Sequence, residues 1–454
     1  MAARDAAAQT APRAPTRAEA FRFWLLLGFV SFGGPAGQIA IMHRELVDRR
    51  RWISERRFLH ALNYCMLLPG PEATQLATYL GWLMHRTWGG IVAGTLFVLP
   101  SVGILIALSW IYMAFGQVAW VAGALGGVKP VVVAIVLHAA WRIGRRTLRH
   151  PWSWGIALAA FVALQVFGVP FPAIVAAAAL AGVVGARLVP RAYASSGAHA
   201  ASGTPHAPAV IDDDTPTPPH ARWSRSHFAA VAGCFVALWG VAMAAIVALF
   251  GADGTYAAMA WLFTKAALVT FGGAYAVLPY IVQSAVEGHG WLTAAQMIDG
   301  LALGETTPGP LIMVVAFVGF VGAWTHATLG PASLAAAGAL GAGVATFFTF
   351  LPSFLFVLAG GPLVESTHGD VRITAPLAGI TAAVVGVIAS LAAFFGAHVF
   401  WPGGFVPAQP LQGLDVASVA IFALATVALF RFGAGVIPVV LAGALAGLAR
   451  AVAL

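Results

Sequence analysis

Long apolar segments separated by short polar turns are the feature that most limits what this chain can fold into. A helix needs about 20 apolar residues to cross a bilayer, and most of the segments are close to that length or longer. Only 9% of the residues are charged, against about 25% in soluble proteins. The apolar runs are continuous rather than alternating, which disfavours a β-barrel. We therefore predict an all-α polytopic membrane protein. Its thirteen predicted segments are 23–42, 58–84, 88–115, 117–141, 152–168, 170–188, 228–250, 256–282, 297–324, 333–359, 373–397, 413–430 and 433–450.

Polar stretches between these segments divide the chain into five predicted parts. They are a cytoplasmic N-terminal tail at 1–22, a first repeat at 23–188, a flexible cytoplasmic linker at 189–227, a connecting transmembrane helix at 228–250 and a second repeat at 251–454. The tail lacks the apolar stretch of a cleavable signal peptide. The linker is rich in Pro, Ser, Gly, His and Asp, and it holds too little apolar surface to fold. Its histidines match no metal-site spacing, so we predict neither a metal ion nor a cofactor; they are His199, His206 and His220.

An internal repeat relates the first part of the chain to the last. Three motifs recur at one offset of 239 residues: Phe32-Gly33-Gly34 as Phe271-Gly272-Gly273, Trp52 as Trp291, and Pro69-Gly70-Pro71 as Pro308-Gly309-Pro310. Leu99-Pro100-Ser101 recurs as Leu351-Pro352-Ser353 at an offset of 252. Each half is therefore predicted to be a unit of six apolar segments, with 228–250 joining the two.

Arginine placement indicates that the two halves have opposite orientations. Residues 44–57 contain six arginines, whereas their repeat counterpart, 283–296, contains neither Lys nor Arg. Because loops rich in Lys and Arg stay in the cytoplasm, the first loop is predicted to be cytoplasmic and the second external. Two inverted repeats follow, which is a common plan of secondary transporters.

The same rule bears on the path of the first two segments. Arginines lie before the first segment, between the two, and after the second. All these stretches remain cytoplasmic only if each segment enters the membrane and returns as a re-entrant hairpin. A segment such as 23–42 is also long enough to cross once, so kinked spans stay open as the alternative. The predicted tips are helix breakers: Gly33-Gly34-Pro35, Pro69-Gly70-Pro71, Gly272-Gly273 and Pro308-Gly309-Pro310.

The broken segments are the predicted substrate site. Pro71 suits the first turn of a helix, and the N–H groups that follow it point at the break. Free backbone donors, the positive end of a helix dipole, and the Thr74 and Gln75 side chains together make an anion site. The second half offers Thr306 and Thr307 before its own break. Pro and Gly also kink ordinary membrane helices, but two motifs repeated at fixed spacing favour a site.

These motifs resemble the chromate ion transporter family, and the resemblance covers essentially the whole chain. It rests on FVSFGGPAGQIAIMHRELVDRRRWIS, LLPGPEATQLATYLGW and VLPS, and the two fused halves are similar to the long-chain, two-domain members. The family implies export of chromate across the bacterial inner membrane, chromate resistance, and sulfate as a related oxyanion. The second copy departs from the pattern at Ala274 and Leu311. The family's signature positions fall on Phe32, Gly33, Gly34, Pro35, Gln38, Trp52, Pro69, Gly70, Pro71 and Thr74.

Ionisable residues inside apolar segments are costly and are functional candidates. Lys129 is predicted to balance part of a dianion's charge or to act as a proton-sensitive switch, and the alternative is a lysine whose stem reaches the interface. Lys265 is more readily explained as such an interfacial lysine. The candidate proton carriers are Glu72, Asp299 and Glu305. The predicted substrate-binding residues are Phe32, Gly33, Gly34, Pro35, Gln38, Pro69, Gly70, Pro71, Thr74, Gln75, Lys129, Phe271, Gly272, Gly273, Thr306, Thr307, Pro308, Gly309 and Pro310.

The favoured function is a secondary transporter that exports chromate. An ion gradient or a partner is the expected energy source, because the chain has no GxxxxGK[ST] nucleotide-binding loop. The alternatives are uptake or exchange of sulfate, which shares the charge and shape of chromate, a passive anion channel, and a membrane-embedded enzyme. The expected partners are the oxyanion and the lipid bilayer, with a homodimer as a candidate. Nucleic acid is not expected, because the arginines border membrane segments.

Overall fold

The protein is a helical membrane protein. The structure, a computed structural model, describes residues 12–32, 34–189, 208–216, 218–367 and 374–453. This part of the chain holds sixteen α-helices and no strand beyond one isolated β-bridge. Seven of the helices are long and apolar enough to cross a membrane, so the predicted all-α membrane fold is confirmed.

The helices are numbered in chain order. They are α1 Arg17–Val30, α2 Gly34–His43, α3 Glu55–Leu67, α4 Glu72–Phe115, α5 Ala119–Thr147, α6 Pro151–Gln165, α7 Phe171–Leu188, α8 Arg225–Phe250, α9 Thr255–Val269, α10 Ala274–Val282, α11 Ala294–Thr306, α12 Val314–Thr325, α13 Leu334–Thr367, α14 Thr374–Phe400, α15 Val416–Arg431 and α16 Val436–Ala453.

Four of the predicted apolar segments are broken into two helices. The breaks separate α1 from α2, α3 from α4, α9 from α10, and α11 from α12, and they fall at the FGG and PGP motifs. At the second and fourth breaks, Gly70 and Gly309 have φ angles of +123° and +107°, which glycine adopts at no steric cost. Gly33, predicted to lie at the first break, is outside the described residues.

Helix α4 consists of two antiparallel arms. Its backbone leaves helical geometry at His85 and Arg86, and the residues on either side pack together. A Cβ atom on Gly81 would lie 2.5 Å from the Cβ of Ala93, although residues twelve apart in a continuous helix are about 18 Å apart. The chain therefore turns sharply at His85 and Arg86, and the arms are residues 72–84 and 87–115.

After each of the first two breaks the chain returns to the end from which it came. The Arg50 guanidinium lies 5.1 Å from the centre of the Phe23 ring on α1, so the chain beyond α2 is back beside the start of α1. The His85 ring contacts the carbonyl oxygen of Pro15 at 3.1 Å, which brings the arm 72–84 to the same end. Each of these two segments therefore folds back on itself as a hairpin. We call this end, which carries residues 44–57 and Arg86, the arginine-rich face.

The second half follows a similar path at the other end. Helices α12 and α13 form an antiparallel pair, because a Cβ on Gly319 would lie 2.8 Å from the Cβ of Ala345. Helix α13 then runs antiparallel to the arm 87–115, with Gly90 packed on Leu358 and Gly94 on Phe354. Helix α13 therefore ends near the arginine-rich face. The end of the molecule that carries Tyr112 and residues 289–295 is called the opposite face.

Part of the predicted linker has fixed contacts, which differs from the expectation that 189–227 is flexible throughout. The N–H groups of Val210 and Ile211 donate to the carbonyls of Arg51 and Trp52 at 3.0 and 3.1 Å, and the Ile211 side chain is buried. One short apolar stretch thus pairs with a free backbone edge of the arginine-rich loop. Residues 190–207 and 217, including His199 and His206, lie outside the described residues, and His220 contacts the carbonyl of Trp82.

The opposite orientation of the two halves can be tested at exposed positions that are repeat mates. Arg56 and Ala295 are both exposed and differ by the repeat offset. In a chain whose native Cys65 and Cys234 are replaced by Ala, we expect Arg56→Cys to react with a membrane-impermeant maleimide only from the cytoplasm. Ala295→Cys should react only from outside. Labelling of both from one side would contradict inverted repeats.

Candidate functional site

The two PGP breaks are bonded to the two FGG breaks across the halves. The Gly70 N–H donates to the Thr270 carbonyl at 2.7 Å, and the Gly309 N–H donates to the Ser31 carbonyl at 2.8 Å. Gly70 and Gly309 are repeat mates, and so are Ser31 and Thr270. The same contact is therefore made twice: the first half donates to the second at Gly70, and the second half donates to the first at Gly309.

The Leu-Pro-Ser motifs and two glutamines complete this junction. Ser353 lies beside Gly70 and Ser101 beside Gly309, so that a Cβ on either glycine would come within 2.6 Å of the serine. The Gln75 amide N–H donates to the Pro69 carbonyl at 2.7 Å. The remaining glutamine spans the halves, because the Gln38 amide donates to the carbonyls of both Ser31 and Gly309.

Several buried polar atoms at this junction have no hydrogen-bond partner in the described part of the chain. Leaving such a group unpaired costs about 1–3 kcal/mol, so an arrangement with several of them indicates a place for water or a ligand. The atoms are Ser31 Oγ, Gln38 Oε1, Thr74 Oγ1, Gln75 Oε1 and Ser101 Oγ.

Helix N-termini supply backbone N–H donors at the junction. Helices α2, α4 and α10 begin at three of the breaks, and a short 3₁₀ turn, Leu311–Met313, begins at the fourth. The first N–H groups of a helix have no partner within it and form the positive end of its dipole. At Gly34 and Gly273 a Cβ would meet nothing within 4 Å, so the backbone there is open to a ligand. The arrangement suits an anion.

The structure gives the threonines of the second half a different role from the predicted one. The Thr306 hydroxyl donates to the carbonyl of Ala302 at 3.1 Å, and the Thr307 hydroxyl donates to that of Gly304 at 3.1 Å. An anion needs free donors, and these hydroxyl protons are already used by the end of α11. Thr306 and Thr307 therefore cap their own helix in this conformation.

Lys129 lies in a separate cluster rather than with the breaks. Its Nζ is 3.5 Å from Asp299 Oδ2, and the Tyr112 hydroxyl donates to the same oxygen at 2.9 Å. Asp299 is seven residues before Thr306, about 10 Å along the helix. Lys129 also lines a cavity of about 830 Å³ that is bordered by Glu287 and Arg450 but by none of the FGG or PGP residues.

The remaining ionisable candidates fall into different settings. Glu305, just before the fourth break, accepts a hydrogen bond from the Tyr275 hydroxyl. Glu72, just after the second, is partly buried, and its carboxylate has no hydrogen bond or ion pair among the described residues. Lys265 is exposed and lies 5.2 Å from the centre of the Trp261 ring, as expected for an interfacial lysine.

Sequence reasoning missed the tyrosines and the serines of the site. Ser101 and Ser353 belong to a repeated motif, and that repetition was a usable signal. Tyr112 and Tyr275 have no repeat mate of the same type and no special spacing, so nothing in the sequence distinguished them from other aromatic residues of membrane helices.

A polytopic helical protein in which half-helices meet end to end at a polar junction has the architecture of a membrane transporter. The profile of the chromate transporter family matches residues 18–183 and 257–448, and the chain belongs to this family. The predicted resemblance is therefore confirmed.

Known relatives agree with this assignment along most of their length. The chain is 34% identical over 405 residues to a chromate transport protein of Pseudomonas aeruginosa. This alignment covers 85% of this chain and 82% of the relative. It is 29% identical to a probable chromate transport protein of Synechococcus elongatus, over 83% of each chain. It is also 29% identical to a chromate transport protein of Cupriavidus metallidurans, over 81% of this chain and 79% of the relative. No solved structure matches the chain.

The need for glycine at the junction can be tested by stability. Gly70→Ala and Gly309→Ala would force a Cβ into a backbone conformation that costs about 1–3 kcal/mol and into contact with a serine. We expect both variants to unfold at lower temperature in detergent. Gly103→Ala is the matched control, because a Cβ there meets nothing within 4 Å and alanine favours a helix. Equal melting of all three would contradict the tight packing.

Proposed function

We propose that the protein exports chromate across the bacterial inner membrane, with the anion bound at the four breaks between two inverted halves. The observation that carries the proposal is the reciprocal pair of bonds from Gly70 to Thr270 and from Gly309 to Ser31. Two halves of opposite orientation that share a two-fold axis would make such a pair. Family membership and the names of the relatives support chromate as the substrate.

The junction offers donors of the kind that a tetrahedral dianion requires. Chromate carries only acceptor oxygens, so its ligands must be N–H or O–H groups. The unpaired hydroxyls of Ser31, Thr74 and Ser101 are proposed as side-chain donors, and the free N–H groups after each break as backbone donors. Gly34 and Gly273 leave the backbone uncovered, which allows the close approach.

The membrane potential is sufficient to drive such an export. Moving one charge across 100 mV is worth about 2.3 kcal/mol, so a dianion gains about 4.6 kcal/mol on leaving a negative interior. This corresponds to a concentration ratio of more than about a thousandfold. If protons are coupled as well, Glu72 and Glu305 are the proposed carriers, because both lie at the breaks, whereas Asp299 is held by Lys129.

Two other transport functions are distinguished by direction and by countertransport. Sulfate uptake or exchange would use the same donors, because sulfate has the same charge and shape as chromate. A passive anion channel would also let chromate follow the membrane potential, but unlabelled chromate on the far side would not accelerate the flux of labelled chromate, because a channel has no alternately exposed site. An enzyme is disfavoured because the similar proteins are named for transport.

Flux in inverted membrane vesicles tests the proposal. We expect chromate to accumulate inside when the interior is positive, and accumulation to stop when valinomycin and potassium collapse the potential. Excess sulfate in the medium tests selectivity. A pH gradient imposed at zero potential tests proton coupling. If this gradient drives chromate flux, Glu72→Gln should abolish that flux. Vesicles that accumulate sulfate but not chromate would contradict the assigned substrate.

Removal of an unpaired hydroxyl should separate stability from binding. Thr74→Val keeps the side-chain shape and deletes a buried hydroxyl that has no partner, so we expect an equal or higher melting temperature together with a higher KM for chromate. Thr349→Val is the matched control, because that buried hydroxyl donates to the Ala345 carbonyl at 2.7 Å. It should lower the melting temperature and leave KM unchanged. A normal KM in Thr74→Val would remove Thr74 from the site.

A further inference from the structure

Two buried clusters join the halves at opposite ends of the molecule. At the arginine-rich face, Arg57 Nη1 lies 2.8 Å from Glu365 Oε2, and the Tyr79 hydroxyl donates to the same carboxylate. At the opposite face, Lys129 and Tyr112 hold Asp299. We call these the Glu365 cluster and the Asp299 cluster.

The two clusters have the same composition. Each consists of one carboxylate from the second half, almost fully buried, with one cationic side chain and one tyrosine hydroxyl from the first half. A buried carboxylate needs such partners, because an unpaired charge away from water is strongly destabilising. Each carboxylate therefore fastens the second half to the first at one end only.

The clusters also lie between equivalent elements. The Glu365 cluster joins α3, which precedes the first-half PGP break, to the end of α13. The Asp299 cluster joins α11, which precedes the second-half PGP break, to the end of the arm 87–115 of α4. The repeat relates α3 to α11 and the arm 87–115 to α13, so one equivalent pair of elements is joined at both ends of the molecule. The third member of each cluster differs, because Tyr79 comes from the arm 72–84 and Lys129 from α5.

The serines beside the PGP glycines are shielded from solvent in the structure. Ser101 and Ser353, which touch these glycines, are almost fully buried. The cavity of about 830 Å³ reaches Lys129 but none of the FGG or PGP residues, so this cavity ends at the Asp299 cluster. An anion that entered through the cavity would have to pass this cluster to reach the breaks.

We infer that the Glu365 and Asp299 clusters are the two gates of the transporter, and that each must open in turn while the other stays closed. The inference rests on the proposed function only in its use of two inverted halves around a shared site. It assigns Arg57, Tyr79, Glu365, Tyr112, Lys129 and Asp299 to gating rather than to substrate binding. For Lys129 and Asp299 this replaces the roles expected from the sequence.

Within the described residues, the linker contacts one gate and not the other. Arg57 Nη2 donates to the Thr215 carbonyl at 2.6 Å, and the Ser54 hydroxyl donates to Asp213 Oδ1 at 2.6 Å. The described linker residues therefore cover the Glu365 cluster. Loosening this contact should affect opening at the arginine-rich face alone.

A buried reporter cysteine tests the gates. The protein carries Ser353→Cys in a background with Cys65→Ala and Cys234→Ala, and its labelling by an impermeant maleimide is timed in right-side-out and in inverted vesicles. The measured quantity is the labelling rate from the arginine-rich face divided by the rate from the opposite face. Tyr79→Phe and Tyr112→Phe each delete one hydroxyl and keep the ring.

We expect Tyr79→Phe to raise this ratio about fivefold and Tyr112→Phe to lower it about fivefold, since each loses one hydrogen bond to a charged group. Asp213→Asn should act like Tyr79→Phe but more weakly. Its neighbour Asp214→Asn is the control, and so is Tyr256→Phe, whose hydroxyl bonds to Ala337 within the second half; both should leave the ratio unchanged.

The gates would be contradicted if the labelling ratio changed in the same direction in Tyr79→Phe and Tyr112→Phe. They would also be contradicted if the ratio changed in neither variant. The labelling needs no substrate, so the outcome is independent of the chromate assignment. Opposite shifts of the labelling ratio without chromate flux would support the gates and contradict the proposed substrate. Chromate flux with an unchanged labelling ratio would support the substrate and contradict the gates.

Discussion

Backbone hydrogen bonding in the absence of water is the constraint on which the rest of this structure depends. Four helix breaks free N–H and C=O groups inside the membrane, where each unpaired group costs several kcal/mol. The protein satisfies part of them by pairing Gly70 with Thr270 and Gly309 with Ser31. Neither half could close its own breaks in this way. The junction therefore holds the halves together, and the groups that stay unpaired are those of the proposed anion site.

The positions of the breaks could be predicted from the sequence, because Gly and Pro act locally on the backbone. The repeat offset also predicted which motifs correspond, and the family resemblance followed from the same residues. The partner of Lys129 could not be predicted, because its contact with Asp299 depends on the relative tilt of α5 and α11 rather than on any spacing. The hydrogen bonds of Thr306 and Thr307 could not be predicted for a related reason, because the sequence places these residues at the break but does not fix their rotamers.

The linker shows a further limit of reasoning from composition. A polar stretch rich in Pro and Ser cannot form its own core, and the prediction of flexibility followed from that. Ile211 nevertheless lies buried against the arginine-rich loop, because a free backbone edge at 51–54 can pair with any neighbouring extended segment. Composition indicates whether a segment can fold alone. It does not indicate whether the segment can pair with a surface that the rest of the protein has already formed.

Differences between the two halves matter as much as their likeness. A transporter with identical inverted halves would have inward-open and outward-open states of equal free energy, because the two-fold axis would exchange them. Here the repeat is broken at Pro35 and Ala274, at Glu72 and Leu311, and by a linker whose described residues contact the arginine-rich face. Each difference changes the free energy of one of the two states and not that of the other. In the proposed transporter, the residues that depart from the repeat would set the populations of the two states, and the residues that keep it would make two states available.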